Sequence, residues 1–153
     1  MEKRGNTEVR QQQIIAAAGN LISKYGSEHL TVKRIAAEVG ISEAAIYRYF
    51  KSKKSILSFL LTHSEETILR DISPANVGNK PVSLDAIEYI IRKHFSAIGM
   101  RKGISFQIIA EVISLGDRKL NKQAYQTIEK YISRLQDLLL KGSGVVLSDR
   151  MSI

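Results

Sequence analysis

The chain has 153 residues, no cysteine and no tryptophan, a formal net charge of +8, 44% hydrophobic and 25% charged residues. Zero cysteines exclude disulfides and thiolate metal sites, and the absence of any apolar run of about 18 residues excludes a spanning helix from the sequence as it stands. With no basic-apolar-small signal at its start, the expectation is a cytoplasmic protein of one or two small domains, long enough to bury a real core.

The positive charge is uneven. Residues 1–60 hold ten Lys/Arg against five Asp/Glu, and the remainder thirteen against ten. An excess at the amino end suits attraction to nucleic acid, although an acidic membrane surface fits nearly as well on charge alone.

Periodicity predicts an all-helical fold. Thr7 is the candidate cap of the first helix, in which Ile14, Ala18, Leu21, Ile22 and Tyr25 form one stripe before Gly26 stops it. Thr31 caps a second helix with Val32, Ile35, Ala36 and Val39 on its apolar face, and Gly40 supplies the left-handed residue that ends it. The connection is then only Gly40-Ile41. Ser42 caps a third helix from Glu43 to about Tyr49, with Ile46, Tyr49 and Phe50 facing the second helix while Glu43, Ala44, Tyr47 and Arg48 lie elsewhere on its surface. Ala36, Ala37, Ala44 and Ala45 keep the pair slim enough to approach a DNA major groove. Ser52 caps the next helix, yet Lys53 and Lys54 occupy its first turn. The helix dipole disfavours cations there by roughly 0.3–1 kcal/mol each, and a DNA phosphate is the partner that Tyr47, Arg48 and Lys51 alongside make the natural choice.

Two short helices with a tight turn, closed by aromatics and cations, are a helix-turn-helix arrangement. With the leading Ile14, Ala17, Ala18 and Tyr25-Gly26, then Thr31, Ile35-Ala36, Val39-Gly40-Ile41-Ser42, Ile46-Tyr47, Tyr49-Phe50 and Lys51 to Leu57, residues of about 8–61 resemble the amino-terminal DNA-binding domain of the TetR family of bacterial transcriptional regulators. The resemblance implies a homodimeric repressor or activator that binds a near-palindromic operator, together with carboxy-terminal helices that bind a small effector. It departs from the family pattern at Ala44, where many members have glycine, and at Glu43 and Ala45, where many have lysine or threonine. Those residues alter which bases are read without undoing the fold. The implied DNA-binding set is Thr31, Lys33, Ser42, Glu43, Ala44, Tyr47, Arg48, Tyr49, Lys51 and Lys53. The implied organisation is a DNA-binding domain over residues 1–52 and a helical effector-binding and dimerisation domain over 53–153. Family members usually continue with two more long helices that build the dimer interface, so the expectation is a longer protein of which this sequence is a part.

The helix from Lys53 to about Ile72 is the predicted lever between the two domains, carrying Ile56, Leu57, Leu60, Leu61, Ile68 and Leu69. The connection from Ser73 to Pro81 holds both prolines. A helix from Ser83 to about Arg101 follows, with Leu84, Ile87, Ile90, Ile91, Phe95 and Ile98 as its stripe; Gly99 and Gly103 bracket the change to a helix from Ile104 to Leu115. The last helix, Asp117 to Lys141, places Leu120, Ala124, Ile128, Ile132, Leu135, Leu138 and Leu139 on one face, and Gly142-Ser-Gly144 ends it before a loop-like tail. Tyr89, Phe95, Met100, Phe106, Ile109 and Ile113 are candidates to line an effector pocket, although apolar residues at helical spacing are more often plain core. His63 and His94 are read as satisfied or partly exposed histidines. No metal or other cofactor is implied, because His63-Ser-Glu65-Glu66 points its side chains in different directions. An enzyme is the competing class, but no phosphate-cradling glycine loop, nucleophile elbow or His-Glu-x-x-His occurs. A helical interaction module that has lost DNA binding is the other alternative, since Glu43 repels phosphate, although its carboxylate can also accept a hydrogen bond from a cytosine amino group.

Overall fold

In the computed structural model, the described residues are 2–73 and 83–142. Among them the chain is all-helical: α1 Glu2–Tyr25, a 3-10 turn Ser27–His29, α2 Val32–Val39, α3 Glu43–Ile46, α4 Lys53–Asp71, α5 Leu84–Met100, α6 Ile104–Ser114 and α7 Arg118–Gly142. None of these helices is long and apolar enough to cross a membrane. The proline-bearing connection and the tail after Gly142 fall outside the described residues.

The predicted elements are present, with shifted ends. Helix α1 does not begin at Thr7 but runs back to Glu2. Residues 2–13 are rich in Glu, Lys, Arg and Gln and hold no proline, so nothing in them halts the helix. Tyr25 leaves the α1 stripe and stands exposed, with the Arg34 guanidinium 5.8 Å from its ring centroid. Gly26 ends the helix as expected, at φ +87°. Gly99 does not interrupt α5; Lys102 and Gly103, at φ +52° and +64°, make the turn into α6.

One hydrophobic core spans most of the molecule. Ile14, Ala18 and Ile22 of α1, Ile35 of α2, Ile46 of α3 and Phe50 after it, Ile56, Leu57, Leu60 and Leu61 of α4, Ile108 and Val112 of α6 and Leu120 and Ala124 of α7 belong to a single buried cluster. It passes without interruption across residues 52 and 53. A smaller cluster of Ile87, Ile90 and Leu138 fastens α5 to α7. Polar contacts add to the α4–α7 seam: Ser58 Oγ donates to Gln123 Oε1 (2.8 Å), Thr127 Oγ1 to Glu65 Oε2 (2.7 Å) and Lys130 Nζ to Glu65 Oε1 (2.6 Å). Burial pushes the Glu65 carboxyl up, but the Lys130 and Thr127 donors outweigh it and hold the group below its ordinary value.

The inward face of α5 differs from the sequence expectation. Ile87, Ile90 and His94 point inward, with Ile91 and Ile98 half-buried, whereas Leu84 and Phe95 are 70% and 63% exposed. A histidine has taken the core position that Phe95 was expected to fill. His94 is fully buried; its Nε2 lies 2.9 Å from Tyr131 Oη and its Nδ1 3.5 Å from Asp71 Oδ2, which also bonds Arg101. Tyr131 of α7 thus bonds Nε2, while Nδ1 has no hydrogen-bond partner among the described residues and faces the Asp71 carboxylate at the end of α4, and the two contacts together fix the rotation of α5.

Burial holds the His94 imidazole below its ordinary pKa, against the opposing pull of the Asp71 carboxylate. The unfolded chain therefore takes up a proton that the folded one resists. Stability is expected to be unaffected by this group above pH ~6.5 and to fall as pH drops from there toward the folded-state pKa. Chemical denaturation at a series of pH values should show this component in the parent and lose it in His94→Gln; an unchanged pH slope in the variant would refute the assignment.

Candidate nucleic-acid interface

The helix-turn-helix is built by local signals. Thr31 Oγ1 accepts the Arg34 backbone N–H (3.2 Å), opening α2. At its other end Gly40, at φ +75°, donates its N–H to Ala37 O (3.2 Å) while Ile41 N–H reaches Ala36 O (3.0 Å), a Schellman closure. Two residues later Ser42 Oγ accepts Ala45 N–H (3.1 Å) and α3 begins.

Helix α3 is shorter than predicted. It ends at Ile46, and residues 47–49 continue as a turn in which Arg48 N–H bonds Ala45 O (3.3 Å) and Tyr49 N–H bonds Ile46 O (2.9 Å). Tightening to i→i+3 bonds is a common way for a helix to finish. It swings Phe50 inward, where its ring meets Phe59 edge-on with centroids 5.8 Å apart. Ile46 and Phe50 are buried behind α3, and Tyr49 is half-buried against the same core.

Glu43, Ala44, Tyr47 and Arg48 are exposed on the other side. Lys33 and Lys51 are exposed near them, and neither they nor Arg48 has a side-chain partner among the described residues. Thr31 and Ser42 are exposed, with their hydroxyls engaged as caps. The ten candidate residues thus lie on α2 and its cap, on α3 and the turn after it, and at the start of α4.

Lys53 and Lys54 have protein partners. Ser52 and Ser55 form a reciprocal capping box that starts α4, and above it Lys53 Nζ lies 2.7 Å from Glu111 Oε1 of α6 while Lys54 Nζ lies 2.7 Å from Asp117 Oδ2 before α7. Two carboxylates offset the unfavourable dipole term for which the sequence pointed to phosphate. The Lys54 hydrogen bond and the Leu120 and Lys119 amides hold the Asp117 carboxyl below its ordinary value. This carboxylate also accepts those amides as the cap of α7.

The candidate effector residues do not converge on a cavity. Tyr89 and Phe95 lie off the inward stripe of α5, Met100 is 80% exposed at its end, and Phe106 and Ile113 are exposed on α6. Only Ile109 is buried, as part of the main core. Helical geometry explains the outcome: with 87, 90 and 94 turned inward, positions 89 and 95 must turn away. A cleft lies instead between α1, α4 and α6, with Ile15, Leu60, His63 and Ile104 in its wall. Among the described residues no group of three or more His, Asp or Glu is placed to hold a metal ion.

The family model of bacterial regulatory proteins of the tetR family matches residues 14–58. The chain is 42% identical to the nucleoid occlusion factor SlmA of Pasteurella multocida, an alignment covering 97% of this chain and 77% of the relative. It is 30% identical to the protein of the same name from Haemophilus influenzae strain PittGG over 91% of the chain and 63% of the relative, so it spans less than two thirds of that protein's length. Among solved structures, the transcriptional regulator FadR from Bacillus subtilis in complex with stearoyl-CoA superimposes with a TM-score of 0.66 at 24% identity, covering 85% of this chain and 69% of that one.

A methyl group added at Gly40 would meet no atom within 4 Å. Gly40→Ala is therefore expected to cost stability through backbone strain alone, about 1–2 kcal/mol in denaturant unfolding. A variant as stable as the parent would show that the turn does not depend on the left-handed residue.

Proposed function

The chain belongs to the TetR family of bacterial regulatory proteins, and on that premise we propose that it is a cytoplasmic, non-enzymatic transcriptional regulator, a ligand-responsive repressor that binds a near-palindromic operator as a homodimer. The observation that carries the reading is the outer side of α3. Glu43, Ala44, Tyr47 and Arg48 are exposed there, on a turn closed by Gly40 and anchored from behind by Ile46 and Phe50. In this reading those four meet base edges, and Thr31, Lys33, Ser42, Tyr49, Lys51 and Lys53 hold the flanking phosphates. Lys53 does so in competition with Glu111. Residues 1–52 act as the DNA-binding domain and 53–153 as the effector-binding and dimerisation domain, sharing the α4 core. Two readers in a dimer engage half-sites about 34–36 Å apart. An effector that favours a different separation, transmitted along α4, releases DNA.

The FadR structure with stearoyl-CoA supports response to a small molecule as a property within the fold. The identity to nucleoid occlusion factors favours a second reading, in which the DNA-bound chain is itself a nucleoid occlusion factor. Mapping bound sites across the chromosome separates the two: a few promoters for an operator reader, many dispersed sites for a factor acting on the nucleoid.

The first test is binding of purified protein to the DNA upstream of its own coding sequence at two salt concentrations, with solution mass recorded. Salt-sensitive, sequence-selective binding by a dimer is expected; a monomer with no preference over random DNA would overturn the reading. Arg48→Ala is expected to lose about 1–3 kcal/mol at one operator position, whereas Lys51→Ala should weaken all sequences alike and lower the salt slope by about one. Equal losses on every sequence for Arg48→Ala would remove it from the base-reading set. Glu111→Gln, by releasing Lys53, should tighten non-specific binding and steepen its salt dependence; an unchanged slope would mean that Lys53 does not reach phosphate.

A further inference from the structure

The cleft between α1, α4 and α6 has a volume of about 390 Å³, within the range of about 300–1,000 Å³ typical of small-molecule sites. Its floor is aliphatic, formed by Ile15, Leu60, Ile104 and Ile108. Ser64 of α4 and Ser105 of α6 open onto it from facing helices. They are only 4% and 6% exposed, and neither hydroxyl has a hydrogen-bond partner among the described residues. Neither oxygen is sealed from the cleft, so both hydroxyls are placed to donate to a molecule seated in it. The rim adds Asn20 and His63, whose side chains are likewise without partners.

The charge of the wall narrows the chemistry. It contains no carboxylate, and its one fixed charge is the guanidinium of Arg101, which keeps N–H donors beyond those turned to Asp71. Gly19 lies in the interior of α1 on this cleft, where the absent side chain leaves room beside Ile104. An aliphatic floor, hydroxyl and amide donors and a single cation together fit an amphipathic acid.

We propose that this cleft is a binding site for a small aliphatic carboxylate, with its chain on Ile15, Leu60, Ile104 and Ile108 and its carboxylate toward Ser64, Ser105 and Arg101. The assignment rests on the reading of the chain as an effector-responsive regulator and names where an effector sits. Its test requires no DNA, so its failure leaves operator binding untouched and the failure of operator binding leaves it standing.

Octanoate, 1-octanol and octylamine are titrated into the purified chain by calorimetry, with melting temperature followed in parallel. Octanoate is expected to saturate one site and raise the melting temperature, octanol to bind more weakly and octylamine not to bind. Ser64→Ala combined with Ser105→Ala, and separately Ala16→Leu at the exposed wall, should each weaken octanoate about tenfold or more, the effect of losing charge-assisted hydrogen bonds or of filling the cleft. Both variants should melt close to the parent when no ligand is present. Absence of saturable octanoate binding, binding of octylamine as tight as that of octanoate, or undiminished octanoate affinity in Ala16→Leu would each overturn the proposal.

Discussion

Helix α4 must satisfy two halves of the molecule at once, and the arrangement of the rest follows from that. Ile56, Leu57, Leu60 and Leu61 occupy adjacent turns and are all buried, forming one broad stripe that several neighbouring helices share. That stripe meets α1 and the residues behind α3 as well as α6 and α7. The DNA-reading elements and the carboxy-terminal helices therefore share one close-packed interior, and a displacement of α4 is felt on both sides because such an interior yields little.

Electrostatics closes the same joint at its surface. Lys53 and Lys54 sit where the α4 dipole repels them, and Glu111 and Asp117 come from α6 and the α6–α7 turn to meet them. Surface ion pairs of this kind contribute only modestly to stability. Their greater effect is on position: they tie the first turn of α4, immediately after the reader, to the ends of two helices that belong to the other half. Glu65, bonded to Thr127 and Lys130, does the same farther along α4.

How much was legible in the sequence depended on how local the signal was. Thr31, Gly40, Ser42 and Ser52 act through neighbours three or four residues away, so the helix-turn-helix and its exposed face were readable from spacing. The partners of Lys53 and Lys54 lie 58 and 63 residues away, and spacing carries no record of them. Chemistry showed that a partner was needed, but not that it would be a carboxylate of the same chain. The face of α5 failed for a different reason. Hydropathy favours Phe95 over His94, yet Asp71 and Tyr131 offer the imidazole polar contacts that arise only after α4, α5 and α7 have packed. The cleft was missed because its walls come from three separate helices and include Gly19, a residue marked by what it lacks.

The brevity of α3 has a consequence for how such a protein changes over time. A single turn has too few hydrogen bonds to stand alone, so its orientation is dictated by Ile46 and Phe50 underneath. Glu43, Ala44, Tyr47 and Arg48 take no part in that anchoring. The outward residues are thus free to vary with little effect on folding, and the surface can acquire a new preference by substitutions that the interior does not register. Inheritance of the scaffold and divergence of what it recognises are separated at the level of one helical turn.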